Sequence, residues 1–191
     1  MEFICKYCGK KFKTEKGFQK HHCEKMERWN NFNWLGYLAF NMFSKSNHIK
    51  IYKDDEKQKM NFIQSHYYKE FDKFGKWVLE MNVIDIPEYI KYLIKFAVPI
   101  KEWYNEKTLR WFLCCYLRTE PISLAIQRSE KYLQDNNITL ETISSSRLYL
   151  ALRNGFISNK FLLKNNFDYK PILKNNLSEN DFNQLEWFLE R

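Results

Sequence analysis

Four side chains near the start of the chain carry the strongest chemical signal. Cys5 and Cys8 are separated by two residues, His21 follows Cys8 after twelve more, and Cys23 lies two positions beyond His21. Thiolate and imidazole are the donors of a borderline-soft cation, and this spacing of the first three matches a tetrahedral zinc site. The fourth donor is less regular, with His22 and Cys23 as candidates. Residues two apart on an α-helix point about 200° apart, so His21 and Cys23 share a metal only if the helix tightens or ends there. Cys23 is the expected fourth ligand, giving three cysteines and one histidine. The alternative takes His22 as the histidine ligand, with Cys23 adjacent to it. Four protein ligands leave no open coordination position, so the expected Zn²⁺ is structural rather than catalytic.

The resemblance extends past the ligands. Phe3 stands two before Cys5, Phe12 four after Cys8 and Phe18 three before His21. Over residues 3–23 the chain resembles a Cys2His2-type zinc finger, which places aromatic or apolar residues at these three positions as its miniature core. The resemblance implies a ββα fold around one zinc ion. It fails at the fourth ligand: a family finger would carry His or Cys four to six positions after His21, where Lys25, Met26 and Glu27 stand. Some 25 residues bury too little apolar surface to offset their ordering entropy, so a metal must substitute for a core.

The rest of the chain must supply the scaffold. At 191 residues, 45% of them hydrophobic, it is long enough for about one domain with a real core. Only five Gly and four Pro argue against an all-β chain. Residues 1–28 read as a zinc-finger module, residues 29–59 as an aromatic connector (WNNFNWLGYLAFNMFS) followed by a surface loop over 44–59, and residues 60–191 as an all-α helical domain. Within that body the periodicity predicts helices over Met60–Met81, Pro87–Phe96, Asn105–Leu117, Pro121–Gln134, Leu140–Asn154 and Ser158–Lys164, and a last helix from Ser178, which Asp181 helps to cap. The segment WFLCCYL in the third of these is apolar all round and is expected at the centre of the bundle, with Cys114 and Cys115 buried. Gly155 is expected to close its helix in the left-handed conformation.

Charge points to a polyanionic partner. The chain carries +8 at pH 7, and half of that falls in residues 1–28, where eight basic residues face four acidic ones. Lys10, Lys11, Lys13, Lys16, Gln19 and Lys20 decorate the finger and are candidate nucleic-acid contacts; Lys13, Lys16 and Gln19 stand near its base-reading positions. Arg110, Arg118, Arg128, Arg147 and Arg153 fall within 44 residues and would form a phosphate-binding groove if they shared one face. The competing expectation pairs each with a nearby glutamate. Exposed tyrosine or tryptophan beside such a groove would stack unpaired bases.

No Ser-His-Asp arrangement, Walker loop, dinucleotide fingerprint or HExxH is present, which removes the common enzymes recognisable from sequence. The N-terminus lacks the positive-then-apolar order of a signal peptide and no run of about 18 apolar residues occurs, so an intracellular, cytoplasmic chain is expected. The expected function is that of a non-enzymatic nucleic-acid-binding accessory protein, with DNA favoured over RNA and a protein partner in replication or transcription as a second contact. No membrane or small-molecule partner is expected. Abundant Lys, Asn, Ile, Phe and Tyr are the residues of A/T-rich codons. In overall character the chain is similar to accessory proteins of T4-type bacteriophages, which implies a role in phage DNA replication, recombination, packaging or transcription in the bacterial cytoplasm. Two rivals stand beside this reading: an adaptor docking on a host or viral enzyme through the finger and the aromatic segment, and a metal-dependent nuclease.

Overall fold

The structure, a computed structural model, describes residues 2–190. Almost all of its regular structure is helical. A two-residue hairpin of β1 (Phe3–Ile4) and β2 (Lys11–Phe12) pairs antiparallel with Phe3 opposite Phe12 and Ile4 opposite Lys11. Twelve α-helices follow among the described residues. They divide between two compact units, one comprising Met1–Asn82 with Ile86–Tyr104, the other Val83–Asp85 with Asn105–Arg191. No helix among the described residues is long and apolar enough to cross a membrane.

The first unit holds the hairpin, α1 (Glu15–Gln19), α2 (Glu24–Asn30), α3 (Trp34–Ser46), α4 (Asp55–Gln64), α5 (Tyr68–Glu80), α6 (Ile86–Lys95) and a 3₁₀ turn, Ile100–Glu102. Its core is aromatic. Phe40, Phe62, Phe71, Phe74, Tyr89 and Trp103 are fully buried. Phe71 and Phe74 meet the Trp103 ring edge-on at 5.4 and 5.5 Å, the geometry that aligns ring edges with the π-face. The polar ends of the buried rings are satisfied: Trp103 Nε1 donates to Val98 O at 2.9 Å and Tyr89 Oη to Trp103 O at 3.0 Å.

The apolar stripe of Met60–Met81 predicts one helix, whereas the chain forms two. Ser65 is extended (φ −63°, ψ 145°) and its Oγ accepts the Tyr67 N–H at 3.0 Å. A serine side chain thus takes over a backbone donor, the local competition by which serine ends helices. The apolar period passes through the break, since Phe62, Ile63, Tyr68 and Phe71 are all buried. The expected loop over 44–59 is shorter, because α3 runs to Ser46 and α4 starts at Asp55 with Asp54 accepting the Lys57 N–H at 2.7 Å. That cap explains one member of the acidic triplet 54–56.

The second unit contains α7 (Glu106–Thr119), α8 (Ile122–Asp135), α9 (Ser145–Arg153), α10 (Asn159–Lys164), α11 (Lys170–Lys174) and α12 (Glu179–Glu190). Its core is aliphatic, built on Leu148, Leu152, Ile157, Leu162 and Leu173. The expected closure at Gly155 holds, with φ +77°, and Ser178 Oγ accepts the Asp181 N–H at 3.1 Å as α12 begins. The α9 helix starts at Ser145 rather than near Leu140. The placement of α7 differs from expectation. It buries Leu109, Phe112 and Leu113 only, while Trp111 is 56% exposed, Cys115 is exposed and Cys114 is half-buried. An all-round apolar run therefore does not occupy the centre here, because the unit's core is already filled by α9–α12.

Candidate metal centre

The hairpin and α1 bring four donors together. The Sγ atoms of Cys5, Cys8 and Cys23 and a ring nitrogen of His21 all lie within 4.8 Å of one another. Cys5 Sγ and Cys23 Sγ are 3.7 Å apart, and Cys8 Sγ lies 3.2 Å from His21 Nε2. A tetrahedral ion with bonds of about 2.3 Å to sulfur and 2.0 Å to nitrogen sets edges of about 3.8 Å between sulfurs and about 3.5 Å between sulfur and nitrogen. The cluster can hold a metal ion, and its three thiols and one imidazole are a donor set that suits zinc.

Local sequence explains each placement. Cys5 and Cys8 sit on a turn that Gly9 closes at φ +72°, a conformation that disfavours other side chains. Gly9 N–H donates to Cys5 O at 2.8 Å and Cys5 N–H to Lys10 O at 2.9 Å. Thr14 caps α1 through its Oγ1 to the Gly17 N–H. The helix then ends at Gln19, the His21 N–H closing back to Phe18 O, and Cys23 is extended (φ −117°, ψ 102°) at the start of α2. The helix thus stops before the ligands, which is how two residues only two apart face one point. Behind them, Phe18 stacks on Phe3 at 6.2 Å and meets Phe12 edge-on, while Phe12 lies 4.9 Å from the His21 ring. His22 is turned outward, its Nδ1 3.2 Å from Glu27 Oε1, outside the cluster.

The electrostatics of the thiols favour a cation. Burial raises the cost of a Cys5 thiolate, but the backbone N–H groups of Cys8 and Tyr7, with the Cys8 and Cys23 side chains, outweigh it and hold Cys5 below the usual thiol range. Burial pushes Cys23 up, and Cys5 and Cys8 add to that despite a backbone contact from Met26. The Cys5 thiolate is thus favoured and one at Cys23 is opposed by it, an opposition that a bound divalent ion would remove.

The finger is anchored within its own unit. Tyr7 packs on Trp29 at 5.9 Å and its carbonyl accepts from Gln64 Nε2 at 2.9 Å. Arg28 donates to Ile63 O at 2.9 Å and lies over the Tyr68 ring. This segment is therefore joined to the helices by specific contacts on α2, α4 and α5.

The candidate nucleic-acid contacts distribute unevenly. Lys10, Lys11, Lys13, Lys16, Gln19 and Lys20 are all exposed on the finger. Lys10 lies over Phe12, Lys11 pairs with Glu2 at 3.2 Å and Gln19 bonds Glu15. The five arginines do not act alike. Arg128 binds the buried Glu120 through both Nη atoms and donates to Gly155 O, so its guanidinium is committed inside the unit. Arg147 donates to Asn136 Oδ1 and Arg153 lies over the Tyr149 ring. Arg110 and Arg118 instead share the lining of one pocket of about 340 Å³ with Lys107, Trp111 and Trp187. Lys107, Trp111 and Trp187 are absent from the sequence-derived candidates. The signal was present in the spacing, since positions 107, 111, 114 and 118 recur every three or four residues along one helix face.

Compared with family models, with curated proteins and with solved structures, the chain matches none.

Proposed function

We propose that this chain is a zinc-dependent nucleic-acid-binding protein, in which one structural Zn²⁺ on Cys5, Cys8, His21 and Cys23 holds a cationic finger against a helical scaffold. The observation that carries it is the four-donor cluster within a segment that exposes Lys10, Lys11, Lys13, Lys16 and Lys20. With four protein donors the ion has no position for water or substrate, so it organises the finger and does no chemistry itself. The lysines neutralise backbone phosphates, which gives affinity with little sequence preference. One finger spans only about 3 bp. DNA transactions of an A/T-rich genome, such as those of a bacteriophage, are the setting that the composition supports.

The adaptor reading draws on residues 29–44 as a docking surface. Within the first unit Tyr37, Ala39 and Phe40 of that segment are buried, and Trp34 is its one large hydrophobic side chain left broadly exposed, at 61%. This favours a scaffold role for the segment.

The test is a titration of zinc-loaded protein into labelled duplex, forked and single-stranded DNA across a salt series. Binding whose log K falls linearly with log salt, by about 0.9 per phosphate on duplex, supports the proposal. Charge reversal at Lys10, Lys11 and Lys13 should then weaken binding. Absence of binding at low salt overturns it.

A further inference from the structure

The pocket between α7 and α12 in the second unit has a composition that the metal centre does not explain. Two of its lining residues are tryptophans: Trp111 from α7 and Trp187 from α12 are 56% and 48% exposed. Lys107, Arg110 and Arg118 also line it, and no acidic side chain does. The nearest acid to Arg110, Glu106, stands at 4.0 Å, the edge of ion-pair range, and Arg118 is exposed. Arg118 stands eleven positions after Lys107, so the cations form a row about 16 Å long on one helix.

Half-exposed tryptophans beside a cationic row suit one class of ligand best. Flat apolar rings strung on a polyanion place their faces on the indoles and their phosphates on the row. Paired bases present only edges and phosphates, so a duplex leaves the indoles unused. Arginine strengthens the match, because its planar fork binds phosphate bidentately. At about 340 Å³ the pocket lies at the small end of ligand sites, the scale of one or two stacked bases rather than of a helix.

We infer that the α7–α12 cleft is a stacking site for unpaired bases of single-stranded DNA, with Trp111 and Trp187 as the platform and Lys107, Arg110 and Arg118 as the phosphate track. This rests on the nucleic-acid reading above and adds a strand preference and a second contact surface to it. The chain would then have one surface for single-stranded DNA and a separate one for duplex.

The test uses the full, zinc-loaded chain with two probes, fluorescein-labelled oligo-dT of eight nucleotides and a labelled 12-bp duplex. Trp111→Ala should weaken oligo-dT binding about tenfold, the loss of one base stack, while duplex binding stays within about twofold. Arg118→Glu, at an exposed position, should do the same with the indole retained, and an unchanged melting temperature shows that each variant folds. Replacing Lys10, Lys11 and Lys13 by Glu should reverse the pattern. If both cleft variants bind oligo-dT as the wild type does while the lysine variant loses both probes, the cleft inference falls and the finger reading stands. Cleft-dependent oligo-dT binding with no duplex binding keeps the inference and removes the finger. A wild-type chain that binds neither probe overturns both. A dimer in sedimentation that Trp111→Ala dissolves overturns the inference in favour of a second copy as the occupant.

Discussion

Gly36 and Gly75 meet where α3 passes α5, and a methyl group on Gly75 would lie 2.5 Å from the Gly36 backbone nitrogen. Asn33 locks the same crossing: its Oδ1 accepts the Gly36 N–H at 3.0 Å and its Nδ2 donates to Asp72 O at 2.9 Å. The two helices therefore pack backbone to backbone, and neither can retreat without breaking that cap.

Gly75→Ala follows directly. Alanine gains about 1 kcal/mol in helix propensity, but overpacking against rigid backbone costs about 1–3 kcal/mol or more. The clash wins, and the melting temperature should fall by about 2–8 °C for a chain of this size. Thermal unfolding by circular dichroism measures it; an unchanged or raised midpoint would show that α3 and α5 are free to separate.

Cys23→Ala and His22→Ala separate the two ligand assignments. The first should abolish stoichiometric zinc and unfold residues 3–23, seen as loss of their dispersed amide resonances, while the buried aromatic core of the first unit stays folded. The second should leave one zinc per chain, because His22 faces Glu27 and lies outside the cluster. Chelation of the wild type should reproduce the first result. Elemental analysis and NMR decide between them.

Glu120 and Arg128 form the most enclosed ion pair among those seen, with side-chain exposures of 1% and 17%. Glu120→Ala leaves a guanidinium without its carboxylate and also disturbs the strut to Gly155 O, so a loss of about 3–5 kcal/mol is expected in urea titration. Glu106→Ala should cost well under 1 kcal/mol, since Arg110 and Glu106 are both solvent-facing.

Buried tyrosines set the alkaline limit of the fold. Burial pushes the Tyr89 phenol well above its usual range, and burial together with the Asp85 hydrogen bond pushes Tyr116 up to about 12. A phenol whose pKa is raised on folding contributes stability below the unfolded value near 10, and that contribution is lost as pH climbs towards the folded value. The urea midpoint should hold to about pH 9.5 and drop above it. Tyr89→Phe should cost about 1 kcal/mol at pH 7, from the hydrogen bond to Trp103 O, and flatten the alkaline fall. An equally steep fall in the variant would place the titration elsewhere.

The metal cluster was legible in the chain because its information is local. Two cysteines on one turn, Gly9 to close it, a capped helix and three phenylalanines all lie within 21 residues, so spacing alone limits the geometry. The helix boundaries were readable for the same reason, starts at Pro121 and Ser178 and a stop at Gly155, each acting on its own backbone. The break at Ser65 escaped because the apolar rhythm continues across it while only one hydroxyl contact marks it.

A helical chain and three of the four donors were thus readable from the residues alone, with the fourth narrowed to Cys23 or His22, since periodicity, capping and ligand spacing act over a few residues. Tertiary packing alone decided which arginines are spent. Arg128 is consumed by Glu120 whereas Arg110 and Arg118 face a pocket, a difference invisible in their spacing because it depends on which helix lies opposite. It also decided that WFLCCYL is a surface helix with an exposed indole, because a residue's burial is set by the neighbours available to cover it.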